Sequence, residues 1–357
     1  MKIIQVMPEF GLAGAETMCE NLIYELVKLG HDVTVVSMYD YHSSITDRLE
    51  NAGIEIVYLH KKSGFDLSMV FKMKKIFKKY NPDVIHTHRY CPQYAIPAAI
   101  LAGIKHRVHT VHNVAEKENG RIARKLNKFF FKHCGVIPVA LSELIRDSII
   151  KEYGINKEKI PVIYNGIDLS KCIPKQAYES HNIFKILHIG RFTEQKNHIG
   201  LLKAFKSFND KYPNSELWLI GDGETKDTIK DFVHSNDLER NVIFCGLKED
   251  VYDYLNQADV FVLPSNYEGL PMTLIEAMGT GLPIIATAVG GVPDMLTDGE
   301  NAVLISPKSE EIAYSLIRLH NDVNFRKSIG QKALISSNSF SSKIMTKHYL
   351  KTFMGDL

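Results

Sequence analysis

The sequence predicts an α/β protein of two Rossmann-like β/α/β domains facing a central cleft. Three observations predict it. The 357 residues exceed the commonest single-domain size and are enough for two domains that each bury a core. Apolar strand-like runs alternate with helix-period segments from the N-terminus to about residue 166, as a parallel doubly wound sheet requires. The same alternation restarts at about residue 183, after a stretch, 167–182, that loses periodicity and gains polar and turn-forming residues, which reads as a linker.

The first domain opens with a strand from Ile3 to Met7, a glycine-containing turn, a helix from about Ala15 to Leu29 stopped by Gly30, and a strand from Val33 to Ser37, one βαβ unit. Further strands are expected at Val57 to Leu59, Asp83 to His86, Val108 to Val111 and Gly135 to Val139. In the second domain the strands are expected at Lys185 to Gly190, Glu216 to Gly221, Val242 to Cys245, Val260 to Pro264 and Pro283 to Ala286. Helices are expected there near Ile199 to Phe208, Thr225 to Ser235 and Pro271 to Gly279. This gives domains 1–166 and 183–338, followed by 339–357, whose helix at roughly 342–354 has no destination legible in the sequence; a return to the first domain is one course.

A hydrophobic content of 45%, a charged content of 24% and a net charge of +2 exclude disordered and fibrous classes and give no overall signal for nucleic acid. The five cysteines are scattered without a Cys-x-x-Cys pair, so neither a zinc site nor a disulfide framework is expected, and a reducing cytosol fits. The opening apolar run is broken by Pro8 and Glu9, too short for an export signal or a membrane span, so a cytoplasmic protein is expected.

Charge is uneven: residues 51–150 carry 17 Lys and Arg against 7 Asp and Glu, whereas 181–357 carry 18 against 22. The excess concentrates in Phe71 to Lys79 and in Arg121 to Lys132. Solvated helix faces are one reading of both. In the second, Phe129, Phe130 and Phe131 beside five basic residues resemble a helix lying on an anionic membrane surface.

The densest chemical signal runs from Pro264 to Gly279. Pro271 suits a first helical position, where its missing N–H would be unpaired anyway. The N–H groups of Leu270, Met272 and Thr273, behind Gly269, together with the helix dipole then make a site for a diphosphate. Glu268 and Glu276 are eight residues apart, about 12 Å if the segment is helical throughout, close to the span from hexose to ribose in a nucleotide sugar. Two solvent-facing glutamates are the plainer reading of an isolated pair, but leave the glycines and the proline without a purpose. Gly190 ends a strand of the same domain, and Arg191 and Lys196 follow it, where a doubly wound sheet lines its ligand crevice. Arg191 as a fork and Lys196 as a point charge suit the same diphosphate, and no metal is required.

These motifs resemble the family-four glycosyltransferases of the GT-B fold, which are retaining and metal-independent, over nearly the whole chain. The resemblance implies that Glu268 and Glu276 form the family's Glu-x7-Glu motif, Arg191 and Lys196 its phosphate-binding pair, and Gly290 to Asp294 its following glycine turn. It makes the second domain the donor-binding one and the first the acceptor-binding one. In Gly11 to Glu16, with Gly14, it implies the glycine loop that approaches donor phosphates or acceptor, loosened here to Gly-x-x-Gly. On residue type alone His112 reads as a satisfied buried histidine; the resemblance implies a place near the donor sugar. His86 and His88 make a metal pair conceivable, but lack a third ligand at useful spacing, which favours a structural or acceptor-side role. The stretch from Val242 to Gly246 is expected to hold the base through backbone contacts.

The implied activity is transfer of a hexose or N-acetylhexosamine, with no cofactor, from a nucleotide sugar to a saccharide acceptor, in surface-polysaccharide assembly. UDP is placed before GDP, and a lipid-linked acceptor at the inner membrane face fits the basic first domain. A nucleotide-sugar epimerase of the same fold and a non-catalytic binding protein are the alternatives; a nicotinamide oxidoreductase is disfavoured because Gly11-x-x-Gly14 lacks the compact Gly-x-Gly-x-x-Gly.

Overall fold

A computed structural model describes residues 1–11, 13–118, 120–179 and 182–356. Leu12 of the expected glycine loop, and Ser180 and His181 of the expected linker, lie outside the described residues. The chain divides into two compact units, Met1–Ile167 with Ser342–Leu357, and Asp168–Ser341.

Unit one is built on strands β1 (Lys2–Met7), β2 (Asp32–Ser37), β3 (Ile56–Tyr58), β4 (Val84–His88), β5 (His106–Val111) and β6 (Val136–Ala140). Among the described residues they form one six-stranded sheet in the order β3-β2-β1-β4-β5-β6, every pair parallel. Unit two carries β7 (Phe184–Ile189), β8 (Ser215–Ile220), β9 (Val242–Gly246), β10 (Val260–Leu263), β11 (Ile284–Thr287) and β12 (Val303–Ile305). Their order is β12-β11-β10-β7-β8-β9, again all parallel. The apolar runs are strands because both faces of these sheets are covered: all four residues of β10 are buried, and Ile4, Val6 and Ile85 of unit one sit in one cluster with Met73, Phe77 and Tyr94 of its helices.

The strand order reverses between β1 and β4 in unit one and between β7 and β10 in unit two. Connections from the two central strands leave on opposite faces at such a point, so a crevice opens at the carboxyl ends of the strands. The loops after β1 and β4, and those after β7 and β10, are therefore where function is sought.

The helix Ser342–Met354 belongs to unit one, packing on the helix Gly14–Lys28 and on β5. Its Tyr349 is buried, with Oη 2.8 Å from Thr110 Oγ1. The described part of 167–182 is not a free tether. Tyr178 donates to the carbonyl of Gly281 at 2.9 Å, and Lys175 to those of Asn256 at 3.0 Å and Ala258 at 2.6 Å. The segment lacks periodicity because it lines unit two as irregular backbone. It supplies a carbonyl, that of Tyr178, to the fully buried Arg326.

The membrane-facing reading of the three phenylalanines is corrected. In the helix Arg121–His133, Phe130 and Phe131 are 5% and 8% exposed, and Phe131 packs edge-on against Tyr153. Arg124 is paired with Glu152 at 3.1 Å. Three successive helical residues span some 200° of the helix surface, so they cannot share a face. What points outward is Ile122 and Phe129 among Arg121, Lys125, Lys128 and Lys132. Among the described residues no helix is long and apolar enough to cross a membrane.

Candidate active site

In unit two the loops after β7 and β10 are laced together by backbone and amide groups. The N–H of Asn266 donates to the carbonyl of Gln195 at 2.8 Å, and its side-chain amide to that of Glu194 at 2.7 Å. Gln195 answers with a bond to the carbonyl of Tyr267 at 2.9 Å. Asn197, in left-handed conformation (φ 51°), accepts from the N–H of Gly200 at 3.2 Å and donates to the carbonyl of Pro264 at 3.1 Å. Short-range sequence pattern could not show this lacing, because the partners are about seventy residues apart.

The lacing brings Lys196 to Glu268: Nζ lies 2.6 Å from Oε1, with both side chains largely removed from water. Ser265 donates to the same carboxylate oxygen at 2.5 Å, and Thr287 holds the carbonyl of Ser265 at 2.6 Å. Behind Lys196, burial keeps His188 down at about 4 and His198 at about 2, so both rings are neutral near pH 7. Gly190 is small for a reason, since a Cβ there would come within 3.2 Å of both His188 and the Lys196 stem. Arg191 is exposed and makes no ion pair among the described residues, leaving its guanidinium available.

Gly290 fixes the other side. Its φ is +62°, and a Cβ would lie 1.9 Å from the carbonyl oxygen of Glu268; next to it the N–H of Gly291 donates to the carbonyl of Gly269 at 2.8 Å. The glycine turn is thus the backing of the Glu268 loop.

The helix runs from Met272 to Gly279, and Pro271 is its N-cap (φ −72°, ψ 120°) rather than its first helical residue. Glu268 to Pro271 is therefore non-helical, and the span from Glu268 to Glu276 is not helical rise throughout. Its N-cap side chain makes no capping bond and no acid occupies its first turn, an arrangement that leaves the helix dipole open to an anion. Leu270 and Met272 are buried beside it. Glu276 sits one turn further in, where burial, with Asp250 adding to it and Lys171 opposing, pushes its carboxyl up to about 7. Gly246 ends β9 with φ +71° and accepts from the N–H of Gly221 at 3.0 Å, leaving this edge lined by backbone.

In unit one, Gly14 opens the helix Gly14–Lys28. His88, buried at the end of β4, links Gln5 and His112: Nε2 is 3.1 Å from Gln5 Oε1, and Nδ1 is 3.0 Å from His112 Nε2. With Oε1 of Gln5 accepting, His88 keeps its proton on Nε2, accepts at Nδ1 from His112, and leaves His112 Nδ1 as an acceptor. Burial, reinforced by His109 and Arg89, holds His112 at about 3. His86 turns to Thr110, at 2.8 Å. Among the described residues no three His, Cys, Asp or Glu are grouped to hold a metal ion.

Sequence reasoning passed over three residues here. Arg89 has φ +53° and reaches Glu16 Oε1 at 2.6 Å. Glu16 is buried, and desolvation outweighs Arg89 in moving its carboxyl upward. Glu118 accepts from the N–H of His112 at 2.9 Å, and burial raises it to about 8. Only the position of Arg89 just after a strand could have flagged it.

Models of two families match the chain: Glycosyltransferase Family 4 over residues 12–171 and Glycosyl transferases group 1 over 173–334. A similar curated protein is the Escherichia coli UDP-Gal:alpha-D-GlcNAc-diphosphoundecaprenol alpha-1,3-galactosyltransferase, 30% identical, covering 72% of this chain and 71% of the relative. The N-acetyl-alpha-D-glucosaminyl L-malate synthase of Bacillus anthracis is 26% identical over 90% of this chain and 88% of its own. Among solved structures, HepE from Anabaena in complex with UDP and glucose superposes with a TM-score of 0.87 at 20% identity, covering 100% of both chains. That likeness shows the fold.

Proposed function

The chain belongs to the family-four, group 1 glycosyltransferases, and we propose that it moves a hexose or N-acetylhexosamine from a UDP-sugar to a lipid-linked saccharide. The configuration at the anomeric carbon is retained and no metal takes part. The observation that carries this reading is the Lys196–Glu268 pair beside an uncapped helix N-terminus, at the strand-order reversal of unit two.

Glu276, deep on that helix, accepts hydrogen bonds from the ribose hydroxyls. The helix N-terminus, Arg191 and Lys196 receive the diphosphate, and Glu268 orients the sugar through its hydroxyls. In the transfer the bond from the anomeric carbon to the diphosphate oxygen breaks, and the acceptor oxygen bonds to that carbon on the same face. The acceptor proton passes to the departing diphosphate. Charge therefore develops on the leaving group, where preorganised cations and N–H donors are most effective. His112, neutral, accepts a hydrogen bond from a sugar hydroxyl at Nδ1 rather than supplying a charge.

Uridine as the base and a lipid-linked acceptor are supported by the Escherichia coli relative, whose name specifies UDP-Gal and a diphosphoundecaprenol-linked GlcNAc. An acceptor in a membrane is also supported by Ile122 and Phe129, exposed among lysines on one helix. Incubation with UDP-galactose, UDP-glucose or their N-acetylated forms and a lipid-linked GlcNAc acceptor, followed by NMR of the product, tests the proposal. An α-linked product formed equally well with and without EDTA is expected. An inverted product, or strict dependence on Mg²⁺, contradicts it.

A further inference from the structure

Unit one contains an open pocket of about 680 Å³ that no step above uses. Tyr39, Lys61 and Tyr90, which line it, follow the carboxyl ends of β2, β3 and β4, and Arg121 and Ile122 close it from the first turn of the helix Arg121–His133. Its volume lies in the range of small-molecule sites, about 300–1,000 Å³.

Two properties meet in it. The first is positive charge that no carboxylate pairs: the carboxyl of Asp66, lowered by its hydrogen bond with Ser68 and in small part by Lys61, forms no ion pair with Lys61 among the described residues. Lys61 is only 7% exposed, yet it forms no ion pair among the described residues. Its ammonium donates to the carbonyls of Lys62 at 2.9 Å and Gly64 at 2.5 Å, and lies 5.3 Å and 5.6 Å from the ring centres of Tyr39 and Tyr94. A buried ammonium whose hydrogen bonds all go to neutral groups keeps a positive field that an anion would complete. Arg121 is likewise exposed and without an ion pair among the described residues, and the helix it begins has no acid in its first turn. The second property is an apolar wall and mouth. Phe65 stacks on Tyr94 with ring centres 5.8 Å apart, and Phe65 and Ile122 are 75% and 79% exposed where the pocket opens.

A free sugar or nucleotide would leave exposed Phe65 and Ile122 without a purpose, and a neutral lipid would leave Lys61 and Arg121 without one. We propose that this pocket binds a lipid phosphate ester, its phosphate at Lys61 and Arg121 and its first hydrocarbon segment between Phe65, Tyr94 and Ile122. The inference rests on the reading of the acceptor as lipid-linked, and adds where and by which groups the carrier is held.

The test is titration calorimetry with farnesyl diphosphate as probe, against pyrophosphate and farnesol alone, with UDP titrated in parallel. The diphosphate ester should bind more tightly than either part. Arg121→Ala and Ile122→Ser, both at exposed positions, should each weaken it by about tenfold while leaving UDP binding and thermal stability unchanged. Lys61→Met should weaken it further, provided its melting temperature shows that it folds. Loss of farnesyl diphosphate binding in Lys196→Ala but not in Arg121→Ala would put the probe on the donor element and overturn the proposal. Binding of pyrophosphate as tight as that of the ester, or no effect of Arg121→Ala and Ile122→Ser, would overturn it too. Farnesyl diphosphate binding without UDP binding would leave the pocket assigned and remove the donor reading instead.

Discussion

The two units share one strand order and put different chemistry at its reversal. In unit one the histidines at the ends of β4 and β5 are neutral: His88 is held by Gln5, His112 is kept well below neutrality, and the charges beside them, Arg89 after β4 and Glu16 on the helix after β1, are paired with each other. In unit two the loops after β7 and β10 carry a cation against a carboxylate, a spare guanidinium and an uncapped helix N-terminus, backed by Gly290, which admits no side chain. The topology decides where loops converge; the side chains decide what each can offer, neutral hydrogen-bonding groups in one unit and, among the described residues, unpaired positive charge in the other.

That contrast breaks most visibly at Lys196. Lys196→Ala removes a cation from the developing charge of the leaving group, and turnover should fall by about 10²–10³; steady-state kinetics with and without Mg²⁺ should show no rescue by the metal. If turnover is within a few fold of the parent, the charged site is not where the bond breaks.

Gly290→Ala is expected to be next in size. It places a methyl at a positive φ and 1.9 Å from the carbonyl of Glu268, so it should lower stability by more than about 1 kcal/mol and displace Glu268. A thermal melt several degrees lower, with turnover reduced even where the variant is folded, is the predicted pair of results.

Glu276 sharpens the comparison through pH. Its folded value of about 7 lies above the ordinary 4.5, so its contribution to stability is complete below about pH 4.5 and is lost as pH rises through 7. Glu276→Gln should therefore raise the melting temperature of the free protein at pH 8 and leave it unchanged near pH 4.5. UDP affinity of the parent should rise between pH 6 and 8 as the carboxylate ionises, a dependence that Glu276→Gln removes. The smallest effect belongs to unit one: with His112 at about 3, transfer should show no inflection from its titration between pH 5 and 8. His88→Asn, which keeps an acceptor toward His112, should retain more activity than His88→Leu.

The alternation of strands and helices was legible because parallel strands buried on both faces leave unbroken apolar runs and their helices leave an apolar stripe. The Glu268 to Glu276 segment was legible as a helix entry, although Pro271 proved to be the cap, its ψ of 120° being extended. What escaped was long-range. Phe130 and Phe131 turn into the core because helical rotation separates neighbours, whereas reading the three phenylalanines as one patch ignored it. β12, three residues long, is too short to register as a period. The described part of 167–182 is packed on unit two, and nothing in its composition announces the carbonyl that Tyr178 gives to Arg326. Lys61 carries no mark in the sequence, since only tertiary packing buries it.

The central claim is a division of labour along one element of unit two, Glu276 for the nucleotide and Glu268 for the sugar. Titration calorimetry of UDP and of the preferred UDP-sugar into the parent, Glu276→Ala and Glu268→Ala tests it most directly. The account predicts that Glu276→Ala weakens both ligands, whereas Glu268→Ala binds free UDP as the parent does and loses only the added affinity for the sugar. Equal loss of UDP affinity in the two variants, or no UDP binding by the folded parent, would contradict it.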